Sequence, residues 1–130
     1  MNSCCNNSVI KYTQGNEANF MLSYYEDDNM IPISSFDEWR VTLLRDGVVA
    51  SGANGTPFGS NVIKLHCPAS LPVGKYSVET VMKKETKQRR SFLCGVIEIV
   101  ECDQDANIGY TNLTFGDNSI IQVKIQYINL

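Results

Sequence analysis

One histidine, five cysteines and fourteen carboxylates carry whatever acid–base, nucleophilic or metal chemistry this chain can perform. A Ser-His-Asp arrangement has only His66 to use. That residue sits between Leu65 and Cys67 in a strand-like segment, and no nucleophile-elbow motif is present. An ordinary strand histidine is the better reading. The carboxylates Glu26, Asp27 and Asp28 crowd into one turn, whereas glycoside hydrolysis needs two carboxyls facing each other across a cleft. No phosphate-cradling Gly-rich loop precedes a helix. Asp103-x-Asp105-x-Asn107 opens like a calcium loop with alternating hard oxygens. Its sixth position, however, is Ile108 and its twelfth is Thr114, where glycine and glutamate are required. Cys4, Cys5, His66 and Cys67 are a poor zinc set, because adjacent cysteines do not easily aim at one tetrahedral ion and no C-x-x-C occurs. The expectation is a protein that is not an enzyme, with no catalytic, cofactor or metal site and no cofactor.

Two further groups suit binding better than catalysis. Lys83, Lys84, Lys87, Arg89 and Arg90 cluster around a single acid, Glu85, in a run that reads as a hairpin tip. Such a tip grips a phosphate or an acidic partner face, or simply keeps a sheet edge soluble. Tyr24, Tyr25, Trp39 and Tyr110 offer rings on which a sugar stacks, although alternation groups Trp39 with Val41 and Leu43 as core. The patterns at Asn6-Asn7-Ser8, Asn54-Gly55-Thr56 and Asn112-Leu113-Thr114 fit glycosylation acceptors, but without a secretion signal they read as accidental.

The elements that must position these groups have period two. Val9 to Tyr12 reads as a first strand. Phe20, Leu22 and Tyr24 alternate with Met21, Ser23 and Tyr25 in a second, which the acidic turn at Glu26 to Asn29 ends. Met30 to Phe36 is a proline-containing edge or connecting piece. Trp39 to Arg45 follows as a central strand, and Asp46-Gly47 predicts a tight primed hairpin into Val48 to Ala50. Ser51 to Ser60, with its glycines and a proline, predicts a long flexible loop. Asn61 to Cys67 is a strand. Tyr76, Val78, Thr80 and Met82 share one face of the next, and Ser91 to Glu101 returns from the basic tip to make the longest hairpin. Asp103 to Asp117 reads as loop, before Ile121, Val123, Ile125 and Tyr127 alternate with Gln122, Lys124 and Gln126 in a last strand.

At 130 residues, 43% hydrophobic and 19% charged, the chain has the size and composition of one globular domain. A net charge of -3 removes the broad positive field of a nucleic-acid or anionic-membrane binder, so neither nucleic acid nor membrane is an expected partner. The odd cysteine count, without paired spacing, predicts reduced thiols in a product made in the cytoplasm, as does a polar start at Met1 to Ser8. The fold class is all-β: an antiparallel sandwich of seven or eight strands with an additional C-terminal strand. It divides into an N-terminal arm and first strand (1–14), a sandwich core (15–102), and a loop with C-terminal strand (103–130).

Leu71-Pro72-x-Gly74-x-Tyr76, after an alternating strand and a Gly-rich loop, resembles the corner of immunoglobulin-like domains, in which a tyrosine hydroxyl ties down the crossover. Trp39 in the third strand suits the same core. Across Gln14 to Cys102, Phe20-x-Leu22, Ile31-Pro32-Ile33-Ser34, Val41-x-Leu43, Gly47 and Leu71-x-x-Gly74-x-Tyr76 are similar to small domains of tailed-phage virion proteins, among them baseplate and fibre-adaptor modules and capsid-decorating proteins. The resemblance implies a virion structural protein, located in the virion, that decorates a capsid or forms part of a head fibre or tail adaptor. Its partners are then other virion proteins and further copies of itself. A carbohydrate-binding or adhesion module is the alternative. The expected partner contacts are Ile121, Val123, Ile125 and Tyr127 of the last strand, with Lys83, Lys84, Lys87, Arg89 and Arg90. Deleting 116–130 is then expected to leave a folded but less associated domain. If the last strand instead folds onto its own sandwich, the truncated chain unfolds.

Overall fold

Alternating burial of successive side chains runs through nearly every segment of the chain, and it divides the strands into two sheets. The computed structural model describes residues 10–102, 106, 112–116 and 121–128. In chain order the strands are β1 (Ile10–Thr13), β2 (Ala18–Glu26), β3 (Asn29–Met30), β4 (Glu38–Arg45), β5 (Val48–Val49) and β6 (Asn54–Pro57). They continue with β7 (Val62–Cys67), β8 (Gly74–Lys84), β9 (Lys87–Val100), β10 (Asn112–Gly116) and β11 (Ile121–Ile128). A single 3-10 turn, Ile33–Ser35, lies between β3 and β4. One sheet has the order β1-β9-β8-β4-β5 and the other β10-β11-β2-β7-β6, with β3 pairing the free end of β2. The fold is all-β and fits a sandwich.

Between the sheets, Phe20, Leu22 and Tyr24 of β2, Ile63 and Leu65 of β7 and Ile121, Val123 and Ile125 of β11 meet Leu43 of β4, Tyr76, Val78 and Met82 of β8, and Leu93, Ile97 and Ile99 of β9. Each set takes every second position of its strand, as a half-buried sheet requires. Polar groups of Tyr24, Thr80, Tyr12 and Ser91 enter this core. Tyr24 bonds Thr80, hydroxyl to hydroxyl, at 2.8 Å. The Tyr12 hydroxyl and the Ser91 hydroxyl have no hydrogen-bond partner among the described residues. Burial raises the Tyr12 phenol well above its ordinary value, with the neighbouring Cys67 and Tyr76 adding to the effect. The Cys67 thiol is pushed up to about 12 by the same desolvation.

The longest hairpin is β8–β9, as alternation predicts, and it carries a bulge. Tyr76 pairs with Ile97 but Val78 pairs with Leu93, so Ser77 faces extra residues of β9. Gly95, at φ 62°, donates its N–H to Ser77 Oγ at 2.9 Å. The Asp46-Gly47 turn has positive φ at both residues, 52° and 80°, the primed geometry that joins β4 to β5. Asp27 and Asp28, at 50° and 66°, make the same kind of turn between β2 and β3.

Four expectations need correction. The described residues hold eleven strands and not seven or eight. The sandwich is not wholly antiparallel, because β1 runs parallel to β9 from Ile10 beside Ile97 to Thr13 beside Val100. The Gly-rich stretch predicted as loop contains β6, paired with β7 from Asn54 beside His66 to Pro57 beside Ile63. The stretch Asp103 to Asp117, read as loop-rich with no strand assigned, contains β10, paired with β11. In the Gly-rich stretch, strand pairing with β7 overrides weak β propensity.

Candidate functional site

The basic tip is largely neutralised by its neighbours. Arg89 on β9 forks onto Glu26 on β2, Nη1 to Oε1 and Nη2 to Oε2 both at 2.7 Å, and so joins the two sheets at one end of the sandwich. Those charged hydrogen bonds hold the Glu26 carboxyl below the usual carboxylate range and raise the Arg89 guanidinium. Arg90 Nε donates to Glu79 Oε2 at 2.6 Å, and its guanidinium lies 5.0 Å from the centre of the Phe92 ring. Lys83 Nζ is 3.9 Å from Glu38 Oε1. In the turn itself, the Glu85 N–H donates to Asp37 Oδ2 at 2.8 Å. Lys84 and Lys87, opposite each other in register, are left on the rim of a depression of about 460 Å³ that Glu26, Met30, Phe36 and Arg89 also line. The sequence-predicted cluster is therefore real in space, but its field is that of two lysines beside acids and not of five cations.

The C-terminal strand takes its intrachain alternative. It lies between β10 and β2, paired along β2 from Ile121 beside Glu26 to Ile128 beside Asn19. Ile121, Val123 and Ile125 are at most 1% exposed in the chain's own core, and Tyr127 is half-buried with its ring 5.5 Å from Phe20. Both edges of β11 are paired over Gln122 to Gln126, which corrects its assignment as a strand with bare amide edges.

The rings proposed as a sugar platform do not share a face. Tyr24 is fully buried between the sheets. Tyr25 points out of the other side of β2, with Lys124 Nζ 5.0 Å over its ring. Trp39 is half-buried against the core, edge-to-face with Tyr24 at 5.3 Å. Tyr110 lies outside the described residues, as do the calcium-like Asp103, Asp105 and Asn107, the arm Met1 to Ser8 and the cysteines Cys4 and Cys5. His66 is half-buried on the outer face of β7, its Nδ1 3.0 Å from Asn19 Oδ1. Among the described residues no group of three or more His, Cys, Asp or Glu is placed to hold a metal ion.

Cys94 on β9 is disulfide-bonded, while Cys67 is a buried and Cys102 an exposed free thiol. The expectation of reduced thiols throughout is corrected at Cys94. Which cysteines meet depends on the distance between their strands in space, and spacing along the chain does not report it.

The corner at Leu71 to Tyr76 is built as expected. The Tyr76 hydroxyl donates to Pro72 O at 2.6 Å and pins the crossover onto the start of β8. Gly74 suits this position, because its φ of +152° lies where L side chains are strained. Beside this corner, Val48 and Val49 of β5 are 68% and 63% exposed, and Phe58, just after β6, is 64% exposed. Sequence reasoning missed these apolar residues as a surface, since it took Val48 to Ala50 as an ordinary hairpin arm and Phe58 as part of a loop. The signal was available: a two-residue strand cannot bury its own side chains. No helix in the described residues is long and apolar enough to cross a membrane. No family model, curated protein or solved structure matches this chain.

Proposed function

We propose that the chain is a non-enzymatic structural protein of a tailed-phage virion, an immunoglobulin-like sandwich that decorates the capsid or forms part of a head fibre or tail adaptor through protein–protein packing. The observation that carries the reading is the Tyr76-to-Pro72 hydrogen bond at the start of β8, the tie that immunoglobulin-like domains make at this corner. Sheet order supports it. Strands β2, β7 and β6 lie side by side in one sheet and β9, β8, β4 and β5 in the other, which in chain order is the B-E-D and G-F-C-C′ arrangement of such domains. Trp39 sits on the strand that corresponds to C. A packing role is supported by Met30, Val48, Val49 and Phe58, large apolar side chains left 60% to 68% exposed. The disulfide at Cys94 suits a particle that leaves the cytoplasm where its chains are made. The sugar-binding alternative has less support, because Tyr24, Tyr25 and Trp39 are distributed over different faces.

Light scattering on the purified chain over a wide concentration range, at moderate and high salt, tests the packing role. A discrete oligomer that resists salt is the expected result. A strict monomer at every concentration overturns self-assembly, and absence of the chain from the particles of its parent phage overturns the virion reading.

A further inference from the structure

Strand β4 is fully paired on one side only. Its ladder with β8 runs from Glu38 to Leu44, whereas on its other edge it meets β5 at Leu44 and Arg45, with one further bond from the Ala50 N–H to Leu43 O. Backbone groups of successive strand residues point alternately to the two edges. Leu43 sets the phase, so Val41 and Trp39 turn their N–H and C=O to the same open edge. Among the described residues nothing bonds them there. A stretch of sheet edge with bare backbone groups at two alternate residues, Trp39 and Val41, is a template for another strand.

This edge runs along a groove of about 370 Å³ between β4 and β6, lined by Trp39, Val41, Val49, Ala53 and Pro57. Gly55 makes the approach of β6 possible, since a Cβ on it would stand 3.0 Å from Val41 Cβ and 3.1 Å from Ile63 Cγ2. The facing edge strand β6 is blunted by Pro57, which has no N–H to give. On the outer face of β4, Arg40 is exposed and has no ion pair among the described residues, while Glu38, two residues away, is paired with Lys83. The geometry points to β4 as a strand-addition site for an extended segment of a partner protein. The segment carries apolar side chains at two alternate positions, which enter the groove beside Trp39 and Val41. A carboxylate stands between them, opposite Arg40.

Main-chain bonds to Trp39 and Val41 supply affinity, and the groove and Arg40 supply selectivity. A second copy of this chain does not fit, because a two-fold pairing that satisfies Trp39 and Val41 sets the two copies of Arg40 face to face. The inference rests on the reading of the chain as a packing component and names the surface and partner chemistry of that role.

Hydrogen exchange on the free full-length chain, followed by NMR, is the first test. Trp39 and Val41 amides are expected to exchange at least ~10-fold faster than those of Arg40 and Thr42, which face β8. The second test titrates a capped heptapeptide, Thr-Thr-Val-Glu-Val-Thr-Thr, and its Lys-for-Glu counterpart. Saturable shifts of the Trp39 and Val41 amides with a dissociation constant of order ~1 mM are expected for the first peptide. Arg40→Glu, at an exposed position, is expected to weaken that binding at least ~10-fold and to reverse the preference between the two peptides. Protected Trp39 and Val41 amides in the free chain, no shift at several times that concentration, or shifts confined to other strands overturn the inference. A chain that is monomeric by light scattering but binds the peptide at β4 keeps the inference and loses self-assembly. An oligomer with fast-exchanging β4 amides that ignores the peptide loses the inference alone.

Discussion

Single side chains set the joints of this fold. Tyr76 spends its hydroxyl on Pro72 O, four residues back, and so ties the crossover between β7 and β8 to the start of β8. Tyr76→Phe keeps the buried ring and removes only that bond. The expected loss is about 1 kcal/mol of stability, read from the urea midpoint at unchanged slope. Glu26 and Arg89 are the second joint, linking β2 to β9. The folded carboxyl lies below its ordinary 4.5, so the contribution of the pair is complete above that value and is lost as pH falls through the folded value. Glu26→Gln is therefore expected to lower the urea midpoint at neutral pH, and the gap between variant and parent is expected to close as the pH falls below the ordinary value and through the lowered folded one. A gap that persists at the lowest pH shows that the charge on Glu26 is not what joins the sheets.

At the scale of the element, β11 is an internal strand of its sheet. It pairs with β2 along Asn19 to Glu26 and fills the core with Ile121, Val123 and Ile125. Removing 116–130 strips that cover from Phe20, Leu22 and Tyr24, so the truncated chain is expected to lose its cooperative transition in far-UV circular dichroism, not merely its association. Ile125→Ala, which leaves the strand pairing in place, is expected to cost about 2–5 kcal/mol in the full chain. A near-neutral result for both variants means that β11 does not belong to the chain's own core. The edges behave differently from the centre. Strand β5 is two residues long with both valines exposed, and β6 holds its place through Gly55 and pairing with β7, not through side-chain burial. These edges leave β4 open, which is why the candidate contact surface lies there and not on the C-terminal strand.

For the whole molecule, nearly every pairing beyond the hairpins joins distant stretches: β1 with β9, β2 with β7 and β11, β4 with β8. Such a topology closes large loops before it gains contacts, so refolding from urea is expected in roughly milliseconds to seconds, followed through Trp39, the single tryptophan. Microsecond refolding is inconsistent with this pairing scheme. The alternation of Phe20, Leu22 and Tyr24, of Tyr76 through Met82 and of Ile121 through Ile125 determined the all-β class, the buried faces and the longest hairpin, because a period of two is a local property that any strand position expresses. Asp46-Gly47 determined its turn for the same reason, and the Tyr76 corner lies within six residues. Tertiary structure alone decided the rest. Whether β11 joins its own sheet, whether a Gly-rich stretch pairs as β6, that β1 runs parallel to β9, that Glu26 takes Arg89, that Cys94 is bonded and that β4 keeps an edge unpaired among the described residues all depend on which distant backbones meet, and no local pattern encodes that meeting.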